Sequence, residues 1–390
     1  MDYLKRTWAE ISLDNLKHNY EALRGQVPSD CRFLGVVKAD AYGHGAVPVS
    51  RFLTELGAEY LAVSNIEEAA QLRRSGIRGP ILILGYTPPF YAEDLAKMGL
   101  RQEVHSLEYA MALNERLKGA SRRIRVHLKL DTGMSRLGFF AYNCEKTVDE
   151  IKCVSQMEHL LIEGVFTHFP VADTTDGADE SFTRTQFERF TAMLDTLKAV
   201  GVEPQIRHCC NSGASILYPE YALDMIRPGI ATYGVSGDDL RDKIDLKPAM
   251  QLRSTIFQIR DFDPLITVGY GRTYTTEEPT KIAVVGIGYA DGLPRSLSGS
   301  ISFLLRGKRV PQIGRICMDM CMVDISRVPE ARVGDVVTIF GEDGDDCIDV
   351  TDLSRRMNTI PYEILCDINK RIPRIYLDGE NQTEILQYIV

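Results

Sequence analysis

Between residues 12 and 235, short apolar runs alternate with amphipathic stretches. Ser12 reads as an N-cap, and Leu13, Leu16, Tyr20 and Leu23 then recur on one helical face until Gly25. Phe33-Leu34-Gly35-Val36-Val37 is a wholly apolar strand. Further strands are predicted at Tyr60–Val63, Ile81–Leu84, Arg101–His105, Ile124–Leu130, Ile162–His168, Gln205–Cys209 and Ala222–Ile226. Helical stretches lie between them: one opens at Ser64-Asn65-Ile66-Glu67, which fits a capping box, and another runs over Phe182–Lys198. Strands that are apolar throughout are buried on both faces, as in a parallel sheet covered by helices. Eight such units fit a closed (β/α)8 barrel better than an open doubly wound sheet.

The loop Gly234–Asp239 ends this pattern. Beyond Pro248 the chain is strand-rich, with strands predicted at Met250–Arg260, Lys281–Ile287, Ser302–Leu305, Val310–Ile313, Cys321–Ile325 and Val336–Phe340. Turns with Gly, Pro and Asp separate them. A second, mainly β domain follows, of the size of a small barrel or sandwich. The fold class is therefore α/β, a TIM-like barrel with a C-terminal β domain. A length of 390 residues agrees with two domains.

Hydrophobic residues at 44% and charged residues at 25% exclude wholesale disorder. A net charge of −9 argues against nucleic acid or an anionic membrane as a partner, though not against an anionic small molecule in a local cationic pocket. All seven histidines lie at or before His208, so any histidine chemistry belongs to the first domain. The nine cysteines are scattered with no CxxC pair, which fits free thiols in a reducing compartment rather than a zinc site or disulfides. Met1–Glu10 has no apolar core after its basic residues, and no run is long enough to span a bilayer. A soluble, cytoplasmic protein is expected.

In a (β/α)8 barrel the chemistry sits at the C-terminal ends of the strands. The first barrel strand ends in Lys38, whose stem is buried and whose amine lies at the mouth. Burial lowers a lysine's pKa and frees the amine as a Schiff-base nucleophile. Asn211-Ser212-Gly213 and Arg227-Pro228-Gly229-Ile230 follow the last two strands, where this fold often binds phosphate. Glycine permits close backbone approach, and exposed N–H groups favour an anion. A Schiff-base lysine and a phosphate cradle on one barrel face point to pyridoxal 5′-phosphate. A metal-assisted hydrolase using His44, Lys129, Asp131, His168 and His208 ranks lower, because no strand carries the His-x-His or His-x-x-x-His spacing of such centres.

The segment Val36-Val37-Lys38-Ala39-Asp40-Ala41-Tyr42-Gly43-His44-Gly45 closely resembles the cofactor-attachment motif of alanine racemases. The resemblance continues collinearly through Leu130–Gly138, Thr167-His168-Phe169, His208–Ser212, Arg227–Ile230, Val268–Gly271, Gly288–Gly292, Gly314–Asp319 and Ile360–Glu363. It implies residues 1–11 as a strand packed with the β domain, a barrel over 12–240 and a β domain over 241–390. It also implies a head-to-tail homodimer with shared active sites.

By the same resemblance, Lys38 forms the internal aldimine and is one of two catalytic bases. Tyr270, delivered by the partner subunit, is the other. One base removes the α-proton and the other reprotonates the opposite face, as racemisation requires. Arg136 matches an arginine near the substrate carboxylate. Arg227 matches one at the pyridine nitrogen, where it donates a hydrogen bond, leaves that nitrogen unprotonated and weakens the electron sink. His168 is similar to the residue that supports this arginine. Tyr42, Ser212, Gly229, Ile230 and Tyr362 are assigned to the phosphate, and Leu84 and Asn211 to outer contacts. Tyr289 and Met318 line the substrate entrance, and the tyrosines narrow it to a side chain as small as alanine's. Lys129 matches a lysine that is carbamylated in some members. Small departures fall at Cys210, Gly213 and Gly269, and none removes a reacting group. No metal is expected.

The implied reaction interconverts L- and D-alanine and supplies D-alanine for cell-wall peptidoglycan. A serine or broad-specificity racemase is the alternative. A fold-related decarboxylase would pair the pyridine nitrogen with a carboxylate, which Arg227 opposes. A cofactor-carrier protein would lack the β domain.

Overall fold

The computed structural model describes residues 4–142 and 144–389, so Met1, Asp2 and Tyr3 of the expected 1–11 segment and Val390 lie outside it. The chain divides into two compact units. One comprises residues 17–41 and 46–247, the other residues 1–16, 42–45 and 248–390. The four residues 42–45, inside the segment Val36–Gly45, thus group with the β unit.

In the first unit, eight parallel strands form a barrel. In spatial order they are Met225–Ile226, Arg32–Val36, Tyr60–Val63, Ile81–Ile83, Arg101–Val104, Ile124–Asp131, Leu160–Phe166 and Ile206–His208. The ring closes where Asp224 N–H meets the Arg207 carbonyl at 3.0 Å and Arg227 N–H meets the Cys210 carbonyl at 2.9 Å. Phe33, Leu34, Leu82, Ile83, Val126, Leu128 and Val165 are fully buried, as apolar strands packed on both faces must be. Helices begin where the sequence supplies a cap. Ser12 accepts from Asn15 N–H at 3.1 Å, and Asn65 from Glu68 N–H at 2.9 Å. The cap is therefore Asn65, one residue beyond the Ser64 expected.

In the other unit, six antiparallel strands close on themselves: Val336–Asp343, Ser302–Leu305, Lys308–Ile313, Cys321–Asp324, Thr280–Val285 and Met250–Phe262. Thr7–Ser12 pairs antiparallel with Met250–Phe262, setting Thr7 opposite Ser254 and Ile11 opposite Met250. On its other side it pairs parallel with Arg374–Asp378, which continues to Asn381–Leu386. Two helices not anticipated by the hydrophobic pattern, Val350–Arg356 and Pro361–Cys366, cross this unit. Among the described residues no helix is long and apolar enough to cross a membrane.

Candidate active site

Lys38 follows the strand Arg32–Val36 and is part exposed. The backbone then turns left-handed over four residues that are not glycine, with φ of 51°, 56°, 54° and 53° at Ala39, Asp40, Ala41 and Tyr42. Such a conformation costs an L-residue roughly 1–2 kcal/mol. Side chains hold the turn. Glu68 accepts N–H bonds from Ala39 at 2.8 Å and Ser64 at 2.7 Å, and Asp40 accepts one from Ala46 at 2.8 Å. Strain so anchored is typical of functional turns.

Cations gather around this mouth. Burial, followed by the charges of Arg227, Arg136, Lys129 and Lys38, pushes the His168 imidazole well below its ordinary pKa. Lys129 is buried with its amine over the Phe166 ring, and burial lowers its pKa too, with Glu103 opposing and Arg136 and Arg227 adding to the fall. Arg136 is exposed, on a loop shaped by Asp131, which accepts the N–H groups of Gly133 at 3.0 Å and Ser135 at 2.9 Å.

Arg227 is the opposite case, only 4% exposed. Its guanidinium donates to the carbonyls of Thr167 at 2.8 Å and Cys209 at 3.1 Å, and to His208 Nδ1 at 3.0 Å. Burial pulls its pKa down to about 10. His208 in turn meets His127 at 2.8 Å, and His127 meets Glu163 at 3.2 Å.

Beside Arg227, Ser212 Oγ accepts the N–H of Gly229 at 2.8 Å and of Ala231 at 3.3 Å. Asn211 caps the following helical turn through Ala214 N–H and donates to the Phe169 carbonyl at 2.9 Å. A Cβ on Gly213 would meet the Ala172 carbonyl at 2.4 Å, so only glycine lets the loop pass there. Ile230 opens the short helical turn Ile230–Tyr233. Leu84 follows the strand Ile81–Ile83 and is part exposed.

The remaining predicted residues belong to the β unit. The Tyr42 and Tyr362 rings lie 5.8 Å apart. Tyr270 is 69% exposed, at the tip between the strands Thr267–Val268 and Tyr274–Thr275. It stands between Gly269 and Gly271, both at positive φ, and borders a cavity of about 540 Å³ lined also by Phe262, Cys317, Met320 and Met322. Met318 and Tyr289 are exposed as well. Among the described residues no three His, Cys, Asp or Glu side chains are grouped to hold a metal ion.

The Alanine racemase, N-terminal domain family matches residues 11–237, and the Alanine racemase, C-terminal domain family matches residues 249–376. This chain belongs to the alanine racemase family. It is similar to the alanine racemase of Desulfosudis oleivorans, 43% identical over 96% of this chain and 97% of that one. Among solved structures it resembles the alanine racemase of Clostridium difficile 630, at 39% identity and a TM-score of 0.95 over all of both chains. A Bacillus anthracis alanine racemase with bound L-Ala-P superposes with a TM-score of 0.94 at 34% identity, over 100% of this chain and 99% of that one.

The resemblance assigns His168 to the support of Arg227; the structure adds a second imidazole, that of His208, which is hydrogen-bonded to the guanidinium, and the charge of Arg227 also acts on His168. His208 stacks face to face on Phe166 at 4.9 Å, which places its Nδ1 against the guanidinium. Glu68, His127 and Glu163 were not foreseen at all. Glu163 and His127 were legible only as charged or polar interruptions of otherwise apolar barrel strands.

Proposed function

We propose that this chain interconverts L- and D-alanine with pyridoxal 5′-phosphate at the barrel mouth on Lys38, its product serving cell-wall peptidoglycan. In this reading Tyr270 comes to that mouth from a second copy of the chain. The observation that carries it is the pairing of Lys38 at a strand end with a buried Arg227 bonded to His208 and two carbonyls.

The residues fit the cofactor. A phosphate needs convergent N–H donors, and those of Gly229 and Ala231 converge on the Ser212 hydroxyl beside a loop that a Cβ at Gly213 would block. When bound, the cofactor joins an amino group and draws electrons from its α-carbon, which makes the α-hydrogen acidic. Lys38 then moves a proton at one face of the α-carbon through its Nζ. The Tyr270 hydroxyl holds the proton for the other face. Arg227 is always a donor, so it places no transferable proton on a ring nitrogen. Arg136, exposed at the mouth, orients the substrate carboxylate by a charge-assisted pair. A carbamate on Lys129 would give Arg136 an anionic partner. His168, held neutral, adds no further charge to the four cations around it.

The test is direct. Loaded with pyridoxal 5′-phosphate, the protein should show a visible absorbance band that Lys38→Ala abolishes, and it should convert L-alanine to the racemate. Release of carbon dioxide, or faster turnover of L-serine than of L-alanine, would overturn the reading.

A further inference from the structure

We propose that Glu163, below the barrel mouth, is a positioning residue that fixes the direction of a hydrogen-bond relay and thereby holds Arg227 as a donor toward the site. This rests on the reading that Arg227 faces the cofactor.

The direction follows from what each group is able to do. A guanidinium has no acceptor, so His208 Nδ1, 3.0 Å from Arg227 Nη1, must carry a lone pair. A neutral His208 then bears its proton on Nε2 and donates it to His127 Nδ1 at 2.8 Å. His127 is left with its proton on Nε2, which it donates to Glu163 Oε2 at 3.2 Å. An ionised carboxylate only accepts, so it is the one terminus compatible with all three links. His127 and His208 are fully buried, and burial lowers both imidazole pKa values, which keeps them neutral. Burial by itself would raise the Glu163 carboxyl, but bonds from His127 and Arg101 outweigh it and hold it at about 2. Arg101 binds Glu163 through Nε at 2.9 Å and Nη2 at 3.2 Å, and Arg125 Nε lies at 3.2 Å.

The backbone is adapted to this relay. Val126 pairs with Ile162 but His127 with Gly164, so Glu163 is the extra residue of a β-bulge. Bulges re-aim side chains in this way. A Cβ on Gly164 would lie 2.5 Å from His127 Nδ1, so the glycine leaves room for the ring. The arginines that hold Glu163 stand near the starts of Arg101–Val104 and Ile124–Asp131, whereas Arg227 follows the end of Met225–Ile226. The relay therefore runs along the barrel interior, away from the mouth.

Glu163→Gln tests it. In either amide orientation the NH2 group faces donors: Arg101 Nε and His127 in one, Arg101 Nη2 and Arg125 in the other. The second orientation sets the NH2 against two arginines, whereas the first meets one arginine and an imidazole that can exchange its tautomer, so the amide turns its NH2 to His127 and the polarity reverses. The protein as purified, labelled with 15N-histidine and assigned with His208→Asn, reports the tautomers by NMR. In the wild type both His127 and His208 should carry hydrogen on Nε2 only. Glu163→Gln should populate Nδ1–H at His208 and shift the visible band of the bound cofactor. Arg125→Ala, which keeps the carboxylate and Arg101, should leave the tautomers unchanged. A protonated Nδ1 on wild-type His208 would overturn the proposal, and so would a Glu163→Gln protein with unaltered tautomers and band. If that variant fails to fold, the wild-type tautomers decide alone. A wild type with the expected tautomers but no visible band would contradict the cofactor reading and leave the relay standing.

Discussion

The two units present their chemistry in opposite ways. In the barrel the decisive groups are sunk and over-determined: Arg227 is 4% exposed with donors committed to His208, Thr167 and Cys209. In the β unit they stand out, with Tyr270 69% exposed between two glycines of positive φ. A side chain that sets the electronics of a bound group benefits from rigid, desolvated surroundings. On the proposed reading Tyr270 reaches a mouth on another copy, and such a side chain has to be left uncovered by its own fold.

The largest effects should come from removing one group on each side of this contrast. Lys38→Ala should lower racemisation by about 10⁴-fold, the upper end for a positioned base, and abolish cofactor absorbance. Tyr270→Ala should lower it by about 10²–10⁴-fold while the cofactor stays bound. Loss of cofactor from that variant would mean that Tyr270 is structural. Mixing the two inactive variants sharpens the point. If copies share sites, random re-pairing should restore about a quarter of wild-type activity, because each mixed dimer holds one intact site. No recovery would place both bases in one chain.

The buried side of the comparison has its own pH signature. Glu163 titrates at about 2 in the fold, below the ordinary carboxylate value, so its stabilisation is complete above about pH 4.5 and is lost as the pH falls through 2. Glu163→Gln should therefore cost about 3 kcal/mol at neutral pH and almost nothing at pH 2, as read by urea unfolding across that range. A penalty independent of pH would contradict the assigned charge. Gly164→Ala should cost about 1–3 kcal/mol, because its methyl meets the His127 ring. Ala39→Gly is the smallest case. It relieves the left-handed turn and should raise stability by about 1 kcal/mol or less, checked by thermal denaturation.

The barrel was legible because strands buried on both faces are apolar along their length. All eight were placed within a few residues. Lys38, Arg227 and the Ser212 loop were legible because a barrel's strand ends are where its chemistry lies. The turn Ala39–Tyr42 was not, since four left-handed residues other than glycine carry no sequence signal and depend on Glu68 and Asp40. The bulge at Glu163 was hidden too: a charge inside an apolar run reads as the edge of a strand, and the expected strand Ile162–His168 is observed at Leu160–Phe166. The strand Arg374–Asp378 escaped notice because its largest fully buried side chain is Arg374. That guanidinium donates to the carbonyls of Gly43, Ile368, Asn369 and Ile372, an inside polar cluster that no hydrophobic pattern announces.

The central claim is that Lys38 and Tyr270 work on opposite faces of one α-carbon. The measurement that tests it most directly is the isotopic content of D-alanine formed from α-protio L-alanine in deuterated water, sampled at low conversion. Two separate bases predict product that carries solvent deuterium at the α-carbon from the first turnovers. Product that keeps the original proton would show one base serving both faces and would contradict the account.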